Sequence, residues 1–374
     1  MSQTDNQHSP VRGLPVSEGG AIDLALAHHV QQKLVVWWDE NARDLPWRFG
    51  RTSPWGVLVS EVMSQQTQMS RVVPYWLAWM EMWPSAQTLA RAGAAEVITA
   101  WGRLGYPRRA LRLQECARQV SEQYGGSLPD DYNKLLKLPG IGDYTASAVL
   151  SFAFNRRIVV LDTNIRRVLT RVFLGTESFG GAATEVDRGL AESVLPFDPD
   201  ECNAGSGAKA SALASTVTGS RLAEGDRTSV PAVSAVPAVN DQDAIDVHAN
   251  GIYRRTKPSA VWNQSVMELG ALVCTAKSPM CKVCPIADSC AFLDAGLPNL
   301  GERRTRPRQH FKGTNRQVRG KVLEALRLLG GGRLSRKDVE ALWPDLVQLD
   351  ACIASLDEDG LIVIYQDGSL SLPR

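Results

Sequence analysis

With 374 residues, 44% of them hydrophobic and 22% charged, the chain has the length of two or three folded units and contains no apolar run long enough to span a bilayer. Its 41 Lys and Arg against 40 Asp and Glu leave a net charge of +1, which excludes a uniformly basic polyanion binder and shifts attention to local charge. The opening MSQTDNQHSP lacks the basic-then-apolar order of a signal peptide, so a cytoplasmic protein is expected.

Residues 1–20 read as a disordered N-terminus. From Ala21 to Phe197 apolar residues recur at helical spacing, punctuated by Asp44-Leu45-Pro46, Gly125-Gly126 and Pro139-Gly140, so this part reads as all-helical. One helix has a marked start, with Ser53 as N-cap and Pro54 in the first turn, and it carries Glu61 among apolar neighbours. In Leu138-Pro139-Gly140-Ile141-Gly142 two glycines permit a tight turn whose exposed amides, at the start of the next helix, suit a phosphate; an ordinary helix-helix turn fits as well. Asp162 follows the apolar run Ile158–Leu161, where it is either the cap of the following helix or a carboxylate at the edge of a core.

Residues 199–256, rich in Ala, Ser, Gly, Val and Asp, lack periodicity and read as a disordered insertion. Helical spacing resumes at Val261–Val273, so the insertion interrupts one domain, 21–198 with 257–300, and the chain must meet itself across it. Cys274, Cys281, Cys284 and Cys290 follow in the order C-x6-C-x2-C-x5-C, whereas Cys116, Cys202 and Cys352 are scattered. In a reducing compartment four close thiolates indicate zinc or an iron-sulfur cluster rather than disulfides. A basic linker, 301–315, opens the acid-free stretch Arg303–Lys321, which is either a solvated face or a set of phosphate contacts. Helical patterns at Arg316–Leu329, Ser335–Trp343 and Leu349–Asp357, then strands at Leu361–Tyr365 and Ser369–Leu372 around Asp367-Gly368, make residues 316–374 winged-helix-like or a plain structural cap.

LPGIGDYTA, VLDTNIRRV and the cysteine spacing together resemble the helix-hairpin-helix DNA glycosylases that include endonuclease III and MutY, over Leu34 to Cys290 less the insertion. The resemblance implies a mainly α helix-hairpin-helix glycosylase fold with a [4Fe-4S] subdomain on Cys274, Cys281, Cys284 and Cys290, followed by the small C-terminal α+β unit. It also implies double-stranded DNA as partner, with phosphate contacts at Gly140 and Gly142; a monomer is expected, though no feature of the sequence addresses oligomeric state. Tyr144 stands where endonuclease III-like enzymes place a lysine nucleophile, so no Schiff base is expected and the enzyme is monofunctional. SEVMSQQTQ, LPWR, WGRLGY and WNQ are similar to MutY-type adenine glycosylases.

That narrower resemblance implies removal of adenine opposite 8-oxoguanine or guanine, with Glu61, Asp162, Tyr144 and Asn164 catalytic. Glu61 would protonate the departing base and an ionised Asp162 would stabilise the oxocarbenium ion. Trp47, Arg48 and Gln264 would surround adenine, Gln66 and Tyr106 would wedge into the base stack, and Thr67 and Leu104 would face the opposite base. Ser64 and Pro107 depart from the family's pattern, and the residues after Arg306 are too few for the Nudix-like domain with which MutY enzymes recognise 8-oxoguanine. An endonuclease III-like pyrimidine glycosylase leaves Glu61, Tyr144 and Asn164 unexplained, and a non-catalytic iron-sulfur DNA-binding regulator leaves both carboxylates idle.

Overall fold

The structure, a computed structural model, describes residues 22–178, 181–199, 256–302 and 311–374. The expectations for residues 1–20, for nearly all of 199–256 and for much of the basic linker lie outside the described residues. Two helical lobes face each other across a cleft. The first begins at α2 (Pro54–Ser64), where Ser53 accepts from the Gly56 amide and Pro54 opens the helix as its sequence predicts. It continues through α3 (Met69–Met82), α4 (Ala86–Arg91), α5 (Ala94–Trp101), α6 (Arg108–Tyr124), α7 (Tyr132–Leu136) and α8 (Asp143–Phe154). Its core is aromatic: Trp79 meets Trp83 and Trp101 edge-on at 5.0 and 5.4 Å, and Trp101 is fully buried.

The second lobe comprises α1 (Leu24–Asn41), α9 (Thr163–Leu174), α10 (Glu185–Ser193), α11 (Pro258–Leu272), the cysteine-bearing loop and α12 (Ala291–Asp294). Leu34, Val168, Phe173, Val194, Trp262 and Val266 share one core, so residues on both sides of the insertion pack together. Asp198 joins them directly, its buried carboxylate accepting from the Ser259 amide at 3.0 Å and hydroxyl at 2.8 Å. α8 is the spine between the lobes, with Val149 and Leu150 in one core and Ala148 in the other.

The C-terminal unit comprises α13 (Asn315–Leu328), α14 (Arg336–Glu340), α15 (Leu346–Glu358) and a hairpin in which β1 (Val363–Ile364) pairs antiparallel with β2 (Leu370–Ser371). α14 is shorter than its apolar pattern suggests, because Pro344 disfavours helical backbone in the residue before it. α15 starts earlier than expected because Asp345 caps it, accepting from the Gln348 amide. Val322, Leu326, Val339, Leu349 and Leu361 form the unit's core, and Ile98 of α5 completes it, so the unit is packed onto the first lobe. Among the described residues no helix is long and apolar enough to cross a membrane.

Candidate active site

The cleft between the lobes encloses about 1560 Å³ and is lined by Glu61, Tyr144, Asp162, Asn164, Trp47, Arg48, Gln66, Thr67 and Gln264. Three helices bring the chemistry together. Glu61 comes from the buried face of α2, Tyr144 from the first turn of α8, and Asp162 from the residue before α9. The Tyr144 hydroxyl donates to Glu61 Oε2 at 2.9 Å. One Asp162 oxygen accepts from the Ile165 amide at 2.6 Å and the other from Asn164 Nδ2 at 2.9 Å. Asp162 is therefore helix cap and cleft carboxylate at once, and the two readings of its sequence context merge.

Burial pushes the Glu61 carboxyl up to about 7, with the nearby Asp162 charge adding to the rise and the Tyr144 hydrogen bond and Arg48 opposing it. Asp162 is also raised by burial, against the pull of Ile165, Asn164 and Arg167. Of the two, Asp162 has more donors aimed at its ionised form, which favours the carboxylate there over the one at Glu61. Tyr144 is driven well above the ordinary phenol range, first by burial and then by both carboxylates, and stays a donor.

Arg48 enters the cleft from a network that the sequence reading missed. Its Nη2 donates to Glu268 Oε2 at 2.8 Å, while Arg43 Nε and Nη2 each reach the same carboxylate at 2.7 Å. Glu268 is fully buried, yet these two guanidiniums hold its carboxyl down at about 2 despite desolvation. The available signal was a lone acid inside the apolar helical run Val266–Val273. Arg48 also lies 4.8 Å from the centre of the Trp38 ring, and Trp47 packs against Trp76.

Gln66 and Tyr106 stand outside the reacting centre on two loops, both with left-handed backbone, φ 56° and 48°. Such strain in non-glycine residues persists only where the surroundings hold it. Arg109, also missed, holds both loops: its Nη1 donates to Val62 and Gln65 carbonyls at 2.6 and 2.8 Å, and its Nη2 to the Gly105 carbonyl at 3.1 Å. Leu104 turns its side chain into the core, and only its carbonyl, 3.4 Å from the Thr67 hydroxyl, meets the neighbouring loop. Between α7 and α8, Gly140 adopts φ 81°, Gly142 is the N-cap of α8, and both are exposed.

Cys274, Cys281, Cys284 and Cys290 line a separate small pocket walled by Val172, Leu269, Ile286 and Phe292, and Arg171 Nη1 donates to Cys274 Sγ at 3.4 Å. Among the described residues no three His, Cys, Asp or Glu side chains converge as ligands of a single ion. A donor set of four thiols around an apolar pocket with a cation beside it fits a polynuclear iron-sulfur group. Arg167 runs from this pocket to the cleft, donating to the Cys274 carbonyl at 2.8 Å and to Asn164 Oδ1 at 2.9 Å.

Residues 59–194 match the HhH-GPD superfamily of base excision DNA repair proteins. The chain is 38% identical over 342 residues to an adenine DNA glycosylase of Mycolicibacterium smegmatis, covering 91% of this chain and 94% of that one. It is 33% identical over 277 residues to the adenine DNA glycosylase of Homo sapiens, covering 72% of this chain and 40% of the human protein. Its backbone resembles that of a thermostable thymine-DNA glycosylase, with a TM-score of 0.51 over 72% of this chain and 98% of the other. At 19% identity, that last likeness concerns the fold alone.

Proposed function

The chain belongs to the adenine DNA glycosylases of the HhH-GPD base excision repair superfamily, and on that premise we propose that it is a monofunctional hydrolase releasing adenine mispaired with 8-oxoguanine or guanine in double-stranded DNA. The observation that carries this reading is the pair of carboxyls, buried Glu61 and part-buried Asp162, lining one cleft, with Tyr144 donating to Glu61. No lysine lines the cleft among the described residues, which supports hydrolysis by water without a Schiff base.

Adenine is a poor leaving group as an anion. Glu61, neutral up to about pH 7, donates its proton to N7 of the extruded base as the glycosidic bond breaks, and the bonding electrons leave with adenine. Asp162 faces the positive charge that develops at C1′ and stabilises it or bonds to it transiently. Water then adds at C1′ and returns a proton to the Glu61 carboxylate, which restores the enzyme. Tyr144 orients Glu61 and Asn164 orients Asp162. Trp47, Arg48 and Gln264 enclose the base, while Gln66 and Tyr106 fill the gap it leaves in the stack, with Thr67 beside the opposite base and Leu104, its side chain in the core, supporting that loop from behind.

The Gly140 and Gly142 amides at the start of α8 receive a DNA phosphate. Cys274, Cys281, Cys284 and Cys290 would hold a [4Fe-4S] cluster, which would tie the cysteine-bearing loop together and leave the reaction itself to the carboxylates. The enzyme acts as a monomer in the cytoplasm. The test is adenine release from duplexes with A opposite 8-oxoguanine or guanine, comparing the wild type with Glu61→Gln and Asp162→Asn. Release by the wild type alone, with no strand cleavage and no borohydride-trapped adduct, is expected; no release from either duplex would overturn the assignment.

A further inference from the structure

Chain 102–107, the loop that joins α5 to α6 and carries Tyr106, is gripped from outside, together with the first residue of α6, by the C-terminal unit. Arg316, Glu324 and Arg327 fall on one face of α13. Glu324 accepts from Arg103, and Arg327 Nε donates to the Ile98 carbonyl at 3.1 Å. At the end of α15, Asp359 is held by Arg319 and pairs with Arg108 at 3.0 Å. Between these anchors the Arg316 guanidinium lies 5.5 Å from the centre of the Tyr106 ring, with its Nη2 3.8 Å from the point where a Gly105 side chain would begin. Arg109 lies 5.6 Å from the same ring. Tyr106, 52% exposed on left-handed backbone, thus has two guanidiniums against its ring, one from its own loop's helix and one from the C-terminal unit.

Beyond the exposed Lys312, the described cations of the basic stretch are Arg316, Arg319, which is committed to Asp359, and Lys321, which lies over the Trp343 ring. Arg316 instead spends its charge on Tyr106 and Phe311. We propose that Arg316 is a positioning residue that fixes the Tyr106 ring in its inserting pose, so that the C-terminal unit governs extrusion of the base and not cleavage of the bond. The inference rests on the reading of Tyr106 as a wedge. A guanidinium on the ring face restricts the ring before DNA arrives, and the ordering cost is then not met during insertion.

The test uses the full chain and a duplex with 2-aminopurine beside the mispaired adenine, whose fluorescence rises on unstacking. Arg316→Ala, Arg316→Lys, Tyr106→Ala and the double alanine variant are compared for unstacking, for single-turnover release and for the salt dependence of DNA affinity. Arg316→Ala is expected to lower the unstacking equilibrium roughly three- to tenfold. Its salt slope should be unchanged, Arg316→Lys should recover part of the loss, and adding Arg316→Ala to Tyr106→Ala should change nothing further. Losses that multiply in the double variant, a salt slope reduced by about 0.9 as for a lost phosphate contact, or unaltered unstacking in Arg316→Ala would each overturn the proposal. Normal unstacking in Tyr106→Ala would instead remove the wedge reading on which it rests.

Discussion

At the scale of single residues, Glu61 carries opposing demands from folding and chemistry. Its carboxyl ordinarily ionises at 4.5 but keeps its proton to about 7 in the fold, so its contribution to stability is intact below 4.5 and is lost as pH rises through 7. Glu61→Gln should therefore abolish adenine release and yet raise stability at pH 8, by an amount on the order of 2–3 kcal/mol, read from urea unfolding. Release by the wild type should decline as pH rises through about 7, because the proposed proton donor is the acid form. The Tyr144 hydrogen bond lowers the Glu61 pKa, so Tyr144→Phe should move that alkaline limb to higher pH while slowing release. A limb that stays in place would mean that another group titrates there.

Between elements, the crossing of α9 and α11 sets the position of Asp162 and Asn164. A side chain added at Gly270 would begin 2.8 Å from the Asn164 Cβ and 3.1 Å from its carbonyl oxygen, so the helices approach this closely only because residue 270 is glycine. Gly270→Ala should push α9 outward, cost about 1–3 kcal/mol in stability and slow single-turnover release at least tenfold, by roughly the effect of a misplaced catalytic group. Glu268 on α11 is a second such constraint. Glu268→Gln leaves the buried Arg48, and the half-buried Arg43 beside it, without their counter-charge, an uncompensated state that costs up to about 3–5 kcal/mol. Because the folded carboxyl titrates at about 2, the wild type should lose this contribution only as pH falls from 4.5 toward 2, which acid titration of the wild type against Glu268→Gln can resolve.

Over the whole molecule, the insertion and the C-terminal unit are accommodated differently. Asp198 and Ser259 close the second lobe across the insertion, so removal of residues 201–250 should leave melting temperature and release within error of wild type. The C-terminal unit has no such independence, because its core includes Ile98 of the first lobe. Truncation after Arg303 should expose Ile98, lower the melting temperature and weaken DNA binding. Unchanged affinity and opposite-base preference in that truncation would mean that the unit only covers an apolar patch.

Much of this protein was legible in short stretches of its sequence, for a physical reason. Helical spacing, the Ser53 cap, the two-glycine turn after Leu138 and the four-cysteine spacing are all set by interactions spanning a few residues, and Glu61 and Asp162 sit inside such local patterns. What the sequence left open depends on partners far apart along the chain. Arg43 meets Glu268 across 225 positions and Arg103 meets Glu324 across 221, distances over which neither periodicity nor capping carries information. Arg109 is indistinguishable by its neighbours from the other arginines of α6, and its hold on the loops of Gln66 and Tyr106 arises only when α2 and α6 pack together. Local sequence thus determined which helices form and where the candidate carboxylates fall on them, while long-range packing decided which buried charges pair, that both carboxylates line one cleft, and that Arg316 lies against Tyr106.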